Sequence, residues 1–276
     1  MNIHLVTVVG SHATMLDHML RHYRESGIDS LLVNIQLEDR GDPLYEQVHA
    51  ISKKYGAQIN SVFVGKWLQS VNPYLYRHTL EQAPNDWFIL ADADELQVYL
   101  GDIRVAVESV SSAGYDYIEG FLIDRVARDG GFPEVSAKTR LWDEFPMAGL
   151  ITFPLLRANI LKVAAAKGAV RIAPGQHYAY QGTGCPHERY YIPVHHFKWT
   201  AGLLGRLRKR VEFYKSIGDG LWLESQRVLS YCEKYGGRIN VNERAFRLRE
   251  SGIVCPHEKD LRALVSANAH KMPRPR

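Results

Sequence analysis

The chain predicts an α/β protein: a mostly parallel sheet with helices on both faces and a helical extension at the C-terminus. Three observations carry this. Short apolar runs alternate with segments of helical period through residue 123. Gly, Pro or Asp stands at the junctions between them. From residue 201 onward the apolar period is helical alone. Short strands alternating with longer helices mean crossover connections between parallel strands, with helices covering the sheet.

The elements follow in order. Residues 3–9 (IHLVTVV) are a continuous apolar run, as a strand buried on both faces requires. Residues 12–26 place Leu16, Met19, Leu20 and Tyr23 on one helical face, and Gly27 ends that helix. A second strand covers 30–36. Asp42 as N-cap and Pro43 at the first turn open a helix bearing Leu44, Val48, Ile51 and Tyr55, which Gly56 ends. A third strand lies at 59–64. Asn72-Pro73 begins a helix with Leu75, Thr79, Leu80 and Ala83 inward, closed by Pro84. Residues 87–91 form a fourth strand, Asp102 to Ala113 a helix, and 116–123 a fifth strand. Residues 124–195, rich in Gly, Pro and aromatics, predict irregular structure with short, partly antiparallel strands near 150–156 and 160–166. Helices are expected at 201–216 and 221–236. The domain reading is one α/β domain over 1–215 and a helical extension over 216–276 whose basic end, from His270 to Arg276, is a frayed tail.

Composition narrows the function classes. With 46% hydrophobic and 23% charged residues in 276, the chain is neither disordered nor fibrous, and needs no disulfide or structural metal to hold a core. No run approaches the ~18 apolar residues of a membrane span. The segment from Met1 to Gly10 lacks the basic start of a secretory signal, and Cys185, Cys232 and Cys255 are too scattered for a disulfide framework. A cytoplasmic protein is expected. Thirty-four Lys and Arg against thirty Asp and Glu give +4, compatible with an anionic substrate and no argument for nucleic acid. The tetrapeptide Cys-Pro-His-Glu occurs at 185–188 and again at 255–258; the flanks differ, Cys-x-His is not a zinc spacing, and the repeat reads as coincidence. There is no GxGxxG and no GxxxxGK[ST], which removes the ordinary dinucleotide and P-loop readings.

The segment with most chemistry is Trp87 to Glu95, WFILADADE. An apolar strand delivers Asp92, Asp94 and Glu95 at its carboxyl end, where α/β sheets bind ligands. Three carboxylates within four residues repel one another. A hard divalent cation, Mg²⁺ or Mn²⁺, would relieve the repulsion and favours carboxylate together with phosphate oxygen. The alternative is a polar loop of acidic residues ahead of the helix at Asp102.

This strand with its Ala-Asp-Ala-Asp-Glu end resembles the Asp-x-Asp motif of glycosyltransferases of the nucleotide-diphosphosugar transferase (GT-A, Rossmann-like) fold, in particular the bacterial family 2-like group with Asp-x-Asp-Glu. Further segments fit the resemblance: His18, His22 and Tyr23; Ile123-Asp124-Arg125; Leu141-Trp142-Asp143-Glu144-Phe145-Pro146; Gly175-Gln176-His177; and His195-His196-Phe197-Lys198-Trp199, followed by Arg206 and Arg210. It spans roughly residues 1 to 215. The resemblance implies a metal-dependent, inverting transfer of a sugar from a UDP- or GDP-sugar to an acceptor hydroxyl. It implies that Asp92 faces ribose and metal, Asp94 ligates the metal, and His196 completes that site as a neutral imidazole. Lys198, Arg206 and Arg210 would hold the diphosphate, Val8 and Gly10 would line the base pocket, and Gln36 and Glu38 would reach base or ribose. His177 sits at a turn, lining the site or serving only the fold. A single displacement needs a carboxylate base. Asp124 is the first choice, with Glu144 and Glu188 behind it; Asp124-Arg125 would otherwise be a structural ion pair.

Two rivals remain at this stage. A sugar-phosphate nucleotidyltransferase would use the same sheet and carboxylates. It would be expected to carry a Gly-rich basic loop after the first strand, where this chain has Gly10-Ser11-His12-Ala13-Thr14. A non-catalytic sugar-nucleotide-binding relative would keep the fold and lose the acidic motif, which this chain retains.

Overall fold

A computed structural model describes residues 1–99 and 101–268, so the basic tail read as frayed lies outside the described residues. In chain order the first elements are β1 (Ile3–Gly10), α1 (Leu16–Glu25), β2 (Ser30–Leu37), α2 (Leu44–Tyr55), β3 (Gln58–Val64), α3 (Val71–Leu80), β4 (Trp87–Leu90), β5 (Glu95–Gln97) and α4 (Ile103–Ser112). There follow β6 (Tyr117–Val126), α5 (Leu141–Glu144), β7 (Met147–Gly149), a π-helical turn (Thr152–Leu156) and β8 (Leu161–Lys167). The chain then forms β9 (Ile192–His196), α6 (Leu203–Ser216), α7 (Trp222–Lys234), β10 (Arg249–Glu250) and α8 (Glu258–Asn268).

These elements group into two compact units that interleave along the chain. One comprises residues 1–121 and 161–194, the other 122–160 and the described residues from 195 onward. The sequence reading cut the chain once, at 215. The chain instead leaves the first unit partway along β6 and returns to it at β8.

In the first unit the strand order is β6-β8-β4-β1-β2-β3. β1 pairs in parallel with β2 and β4, and β2 in parallel with β3. From β4 outward the pairing turns antiparallel, to β8 and then β6. The α/β class is as expected, with β1, β2, β3 and β4 forming a parallel set. β1, β2 and β3 step outward through α1 and α2, and the chain then crosses back through α3 to reach β4 on the other side of β1. Right-handed crossovers therefore put α3 on the face opposite α1 and α2. The carboxyl ends of β1 and β4 flank the place where strand order reverses, which is where open α/β sheets hold ligands.

Local signals act as read in most of this unit. Gly56 ends α2 with a left-handed φ of 65°, and the Asp102 side chain caps α4 by accepting from the Arg104 amide. Asp42 likewise accepts from the Leu44 amide at 2.9 Å. Val6, Val8, Leu75, Tyr76, Phe88, Leu90 and Val163 form one core cluster between sheet and α3. Gly120 is required by close approach: a Cβ there would lie 2.1 Å from the carbonyl oxygen of Ile192 on β9.

In the second unit β7 pairs antiparallel with the end of β6 and with β10. Leu156, Trp199, Leu203, Leu207, Val228 and Phe246 form its core. The apolar run at 150–156, expected as a strand, is instead the π-helical turn. The amides of Ile151 and Thr152 both donate to Asp124 Oδ2 at 2.7 Å, which removes them from any ladder. The strand β9, by contrast, lies in a stretch read as irregular; Pro193 interrupts its donors, and the Pro193 carbonyl accepts from Val98. No described helix is long and apolar enough to cross a membrane.

Replacing Gly120 with Ala is expected to destabilise the protein by ~2–3 kcal/mol, because backbone rather than a flexible side chain must move. A melting temperature lowered by roughly 5 °C or more would register it; an unchanged one would contradict the close β6–β9 approach.

Candidate functional site

β4 is four residues long and essentially without exposure, held between β1 and β8. Its apolar run ends at Ala91, where the chain turns. The Glu95 amide donates to the Asp92 carbonyl at 2.9 Å, and the Asp92 amide donates back to Glu95 Oε2 at 3.1 Å. The second and third carboxylates of the motif thus have different fates: Asp94 is half-buried, and Glu95 is 2% exposed and folded inward.

The charge that relieves the repulsion is supplied from within. Lys162, in the inward run of β8, places Nζ 3.0 Å from Glu95 Oε1 and 3.4 Å from Asp92 Oδ2. Burial alone would lower the lysine pKa, but Asp92 and Glu95 outweigh it and hold the ammonium charged. The sequence argument for an external cation is corrected here in part. One of the three carboxylates is already balanced, and removing its partner would leave a buried charge, at a cost of ~3–5 kcal/mol.

With Oδ2 turned to Lys162, Asp92 Oδ1 faces three neutral groups. Gln176 Nε2 lies at 3.1 Å, the Tyr76 hydroxyl at 3.4 Å and Asn72 Nδ2 at 3.5 Å. Tyr76 also reaches the Ala91 carbonyl at 3.0 Å, and burial with two carboxylates nearby raises it well above its usual range. Asn72 Oδ1 and Gln176 Oε1 are buried and have no hydrogen-bond partner. An unsatisfied buried acceptor of this kind costs ~1–3 kcal/mol. Gln176 itself is 2% exposed and adopts a left-handed φ of 60° directly after Gly175 at 69°. His177 Nδ1 sits 2.9 Å from the Leu161 carbonyl, so that nitrogen carries the proton. Burial, then the Lys162 ammonium, pushes His177 down to about 4 and keeps it neutral.

The other residues read for the first unit lie at the carboxyl ends of neighbouring strands. Val8 and Gly10 end β1, and Gln36 ends β2 with Nε2 donating to the Gly65 carbonyl. A Cβ on Gly10 would meet Gln36 Oε1 at 2.8 Å and the Trp67 ring at 3.1 Å, so glycine lets both close over the strand end. Glu38 is exposed and pairs with Lys66 at 3.4 Å.

In the second unit Asp124 is completely buried. Besides the Ile151 and Thr152 amides it accepts from Thr152 Oγ1 at 2.8 Å and Trp199 Nε1 at 3.2 Å, and His196 Nδ1 lies at 3.4 Å. Burial would raise its carboxyl, but His196, the Thr152 amide and Lys198 outweigh burial and hold it below the usual range. Arg125 is not its partner. The guanidinium donates to His195 Nδ1, to the Ser251 carbonyl and to the Gly252 carbonyl, and it stacks over Trp142. The ion-pair alternative is therefore corrected, and a carboxylate so enclosed is built to hold the 151–152 turn and the His196 ring. Lys198 stacks on Trp199. Arg206 donates to the Ala201 carbonyl and Thr200 Oγ1, while Arg210 stacks on Tyr214 and faces Glu224 at 3.9 Å. Glu144 ends α5 exposed, and Glu188 is exposed in the first unit.

Among the described residues no three His, Cys, Asp or Glu side chains are grouped to hold a metal ion. Glu95 is engaged by Lys162 and the Asp92 amide, so a divalent ion at this turn would rest on Asp94, the outer edge of Asp92 and oxygens brought by a substrate. That donor set suits Mg²⁺ or Mn²⁺ with a diphosphate. Asp94 and His196, read as sharing an ion, belong to different units. Lys162, Asn72, Tyr76 and Gln176 were missed as partners of Asp92. A signal existed for Lys162, a lone charge within the apolar run Leu161-Lys162-Val163-Ala164-Ala165-Ala166.

No protein-family profile matches this chain, and no curated protein does. Its fold is similar to solved structures. The mannosyltransferase PcManGT from Pyrobaculum calidifontis, in complex with GDP-Man and Mn²⁺, is 12% identical with a TM-score of 0.42 over 99% of this chain and 76% of that one. TarS (residues 1–349) from S. aureus is 11% identical with a TM-score of 0.38 over 88% of this chain and 76% of that one. HddC from Yersinia pseudotuberculosis is 11% identical with a TM-score of 0.30; the match covers 47% of this chain and 60% of HddC's length. At such scores and identities the likeness carries nothing about activity, which rests on this chain's own residues.

His177 gives the first unit a pH dependence. Its proton is taken up at ~6.5 when unfolded and only at about 4 when folded, so stability is full above pH ~6.5 and falls as the pH drops toward 4. The loss should reach up to ~3 kcal/mol. Denaturant midpoints measured from pH 7 to 4.5 should fall less steeply in His177→Gln; equal slopes would show His177 exposed and ordinary.

Proposed function

We propose that this protein is a glycosyltransferase that takes a sugar from a nucleoside-diphosphate sugar, with a divalent cation, and passes it to an acceptor hydroxyl with inversion. One observation carries the reading: the acidic turn 92–95 closes the end of β4, beside Gly10 at the end of β1, where the strand order reverses. Strand ends at a reversal form a crevice for a nucleotide. Partly exposed carboxylates there serve a substrate and not the core.

In this mechanism Asp94, with the diphosphate oxygens, would hold the cation, and Lys162 keeps Glu95 and the turn in place beneath it. The cation, when bound, neutralises charge growing on the leaving diphosphate. Asp92 orients hydroxyl groups of the donor. His177, neutral, adds no charge to the crevice. The second unit's contribution is carried by the resemblance alone: His196 as a further metal ligand, and Lys198, Arg206 and Arg210 on the diphosphate. Support for His196 is chemical, since a histidine that faces a buried carboxylate through one nitrogen is held in the tautomer that ligates through the other.

The base must be reachable by an acceptor. Asp124 is enclosed by donors, so we assign the role to Glu144, the next carboxylate of the sequence reading. Glu144→Gln should lower transfer by ~10²-fold or more and leave nucleotide binding unchanged. Full transfer would pass the role to Glu188.

Binding tests the reading itself. UDP or GDP in Mn²⁺ should raise the melting temperature, by the equivalent of ~2.7 kcal/mol at ~100 times the dissociation constant, and much less in EDTA. Equal stabilisation with and without metal would remove the cation from the site. No stabilisation by any nucleoside diphosphate would sink the transferase reading.

A further inference from the structure

We propose that the side-chain amides of Asn72 and Gln176, together with Asp92, form a hydroxyl-reading subsite that accepts neighbouring hydroxyls of a polyol ring carried by the donor. This rests on the donor reading above and adds the residues that would discriminate among ring hydroxyls.

The argument begins with amide orientation. Both amide nitrogens point at a single oxygen, Asp92 Oδ1, at 3.1 Å from Gln176 and 3.5 Å from Asn72. Turning either amide over would set its oxygen against the carboxylate, so the orientation is dictated by charge. It leaves Gln176 Oε1 and Asn72 Oδ1 buried without a donor. With the nitrogens held by Asp92, neither oxygen has a partner among the described residues, and each is left to a group brought from outside them.

Backbone conformation points the same way. Gln176 holds a left-handed φ of 60° behind Gly175 at 69°, in a three-residue turn that packs against α3. A buried glutamine with a strained backbone and one unpaired end carries a cost in stability, and such conformations persist where a ligand uses them. The ligand class follows from the pattern of groups. The subsite offers acceptors beside N–H donors, and a hydroxyl uses both at once. A metal ion would need the amide oxygens turned inward, at the expense of both bonds to Asp92. Lys162 already neutralises charge on the other side of that carboxylate.

The hydroxyls can come from the pentose of the nucleotide or from the sugar being transferred. Gln176→Gly suits the left-handed backbone, and Asn72→Ala suits the first turn of a helix, so both variants should fold. Titration with UDP-glucose and GDP-mannose, beside UDP and GDP, in EDTA and in Mn²⁺, should show each variant binding the nucleotide sugars at least ~10-fold more weakly. Each should melt at or above the wild-type temperature, since an orphaned acceptor has been removed. If the pentose is read, 2′-deoxy or 3′-deoxy nucleotides should bind the wild type more weakly, and the variants should not distinguish them. If the transferred sugar is read, the difference between UDP-glucose and UDP, or GDP-mannose and GDP, should shrink in the variants instead. Unchanged affinity for all of these probes would overturn the inference, as would weaker binding confined to Mn²⁺ or a lowered melting temperature accompanying every loss. A wild type that binds none of them would fail the donor reading first and take the inference with it.

Discussion

The lysine ammonium buried between Glu95 and Asp92 is the contact on which the acidic end of β4 depends. Its side chain is 3% exposed, so its desolvation is nearly complete, and two carboxylates are needed to keep it charged. Lys162, second residue of β8, reaches them because β8 runs antiparallel beside β4 and its start lies next to the end of β4. Once Lys162 holds Asp92 Oδ2, the other oxygen has to face Asn72, Tyr76 and Gln176. The orientation of the amides, and the two orphaned oxygens behind them, thus descend from one ion pair.

The second unit solves a related problem with another chemistry. Asp124 has no exposure; two backbone amides, a hydroxyl, an indole and an imidazole surround it. Hydrogen bonds to the charged form, with the charges of His196 and Lys198, outweigh burial and hold it ionised. Those same amides are withdrawn from strand pairing, which is why an apolar run with strand composition becomes a π-helical turn. A side chain has overruled propensity. Arg125, next along the strand, is equally buried and uses its charge to bind the carbonyls of 251 and 252, fastening a segment far along the chain.

Legibility followed the range of the physics involved. Strands and helices of the first half were readable because apolar period, Gly stops and Asp caps act over a few residues. The ends of α2 and α4 are set by Gly56 and Asp102 as read. From 124 to 195 only the strand near 160–166 was legible, as β8; the rest takes its shape from contacts between distant residues: Asp124 with 151 and 152, Pro193 with 98, Lys162 with 92 and 95. The Cys-Pro-His-Glu repeat shows the limit from the other side. In the first copy the Pro186 carbonyl accepts from the amides of 189 and 190 in a turn, whereas the second copy leads into α8 with the carbonyls of Cys255 and His257 accepting, so the same four residues adopt different local structure.

Carboxylate count alone therefore could not decide what the acidic motif is for. Mutual repulsion demands a positive charge, but it is indifferent to whether that charge is a metal ion or a lysine from the next strand. Exposure is what separates the two cases. Glu95, 2% exposed and closed by Lys162 and the Asp92 amide, belongs to the fold. Asp92 keeps a third of its side chain exposed, and Asp94 stays half-buried at the turn. Both stand at a strand-order reversal beside two amide oxygens that lack donors, and that placement is the ground of the transferase reading proposed above.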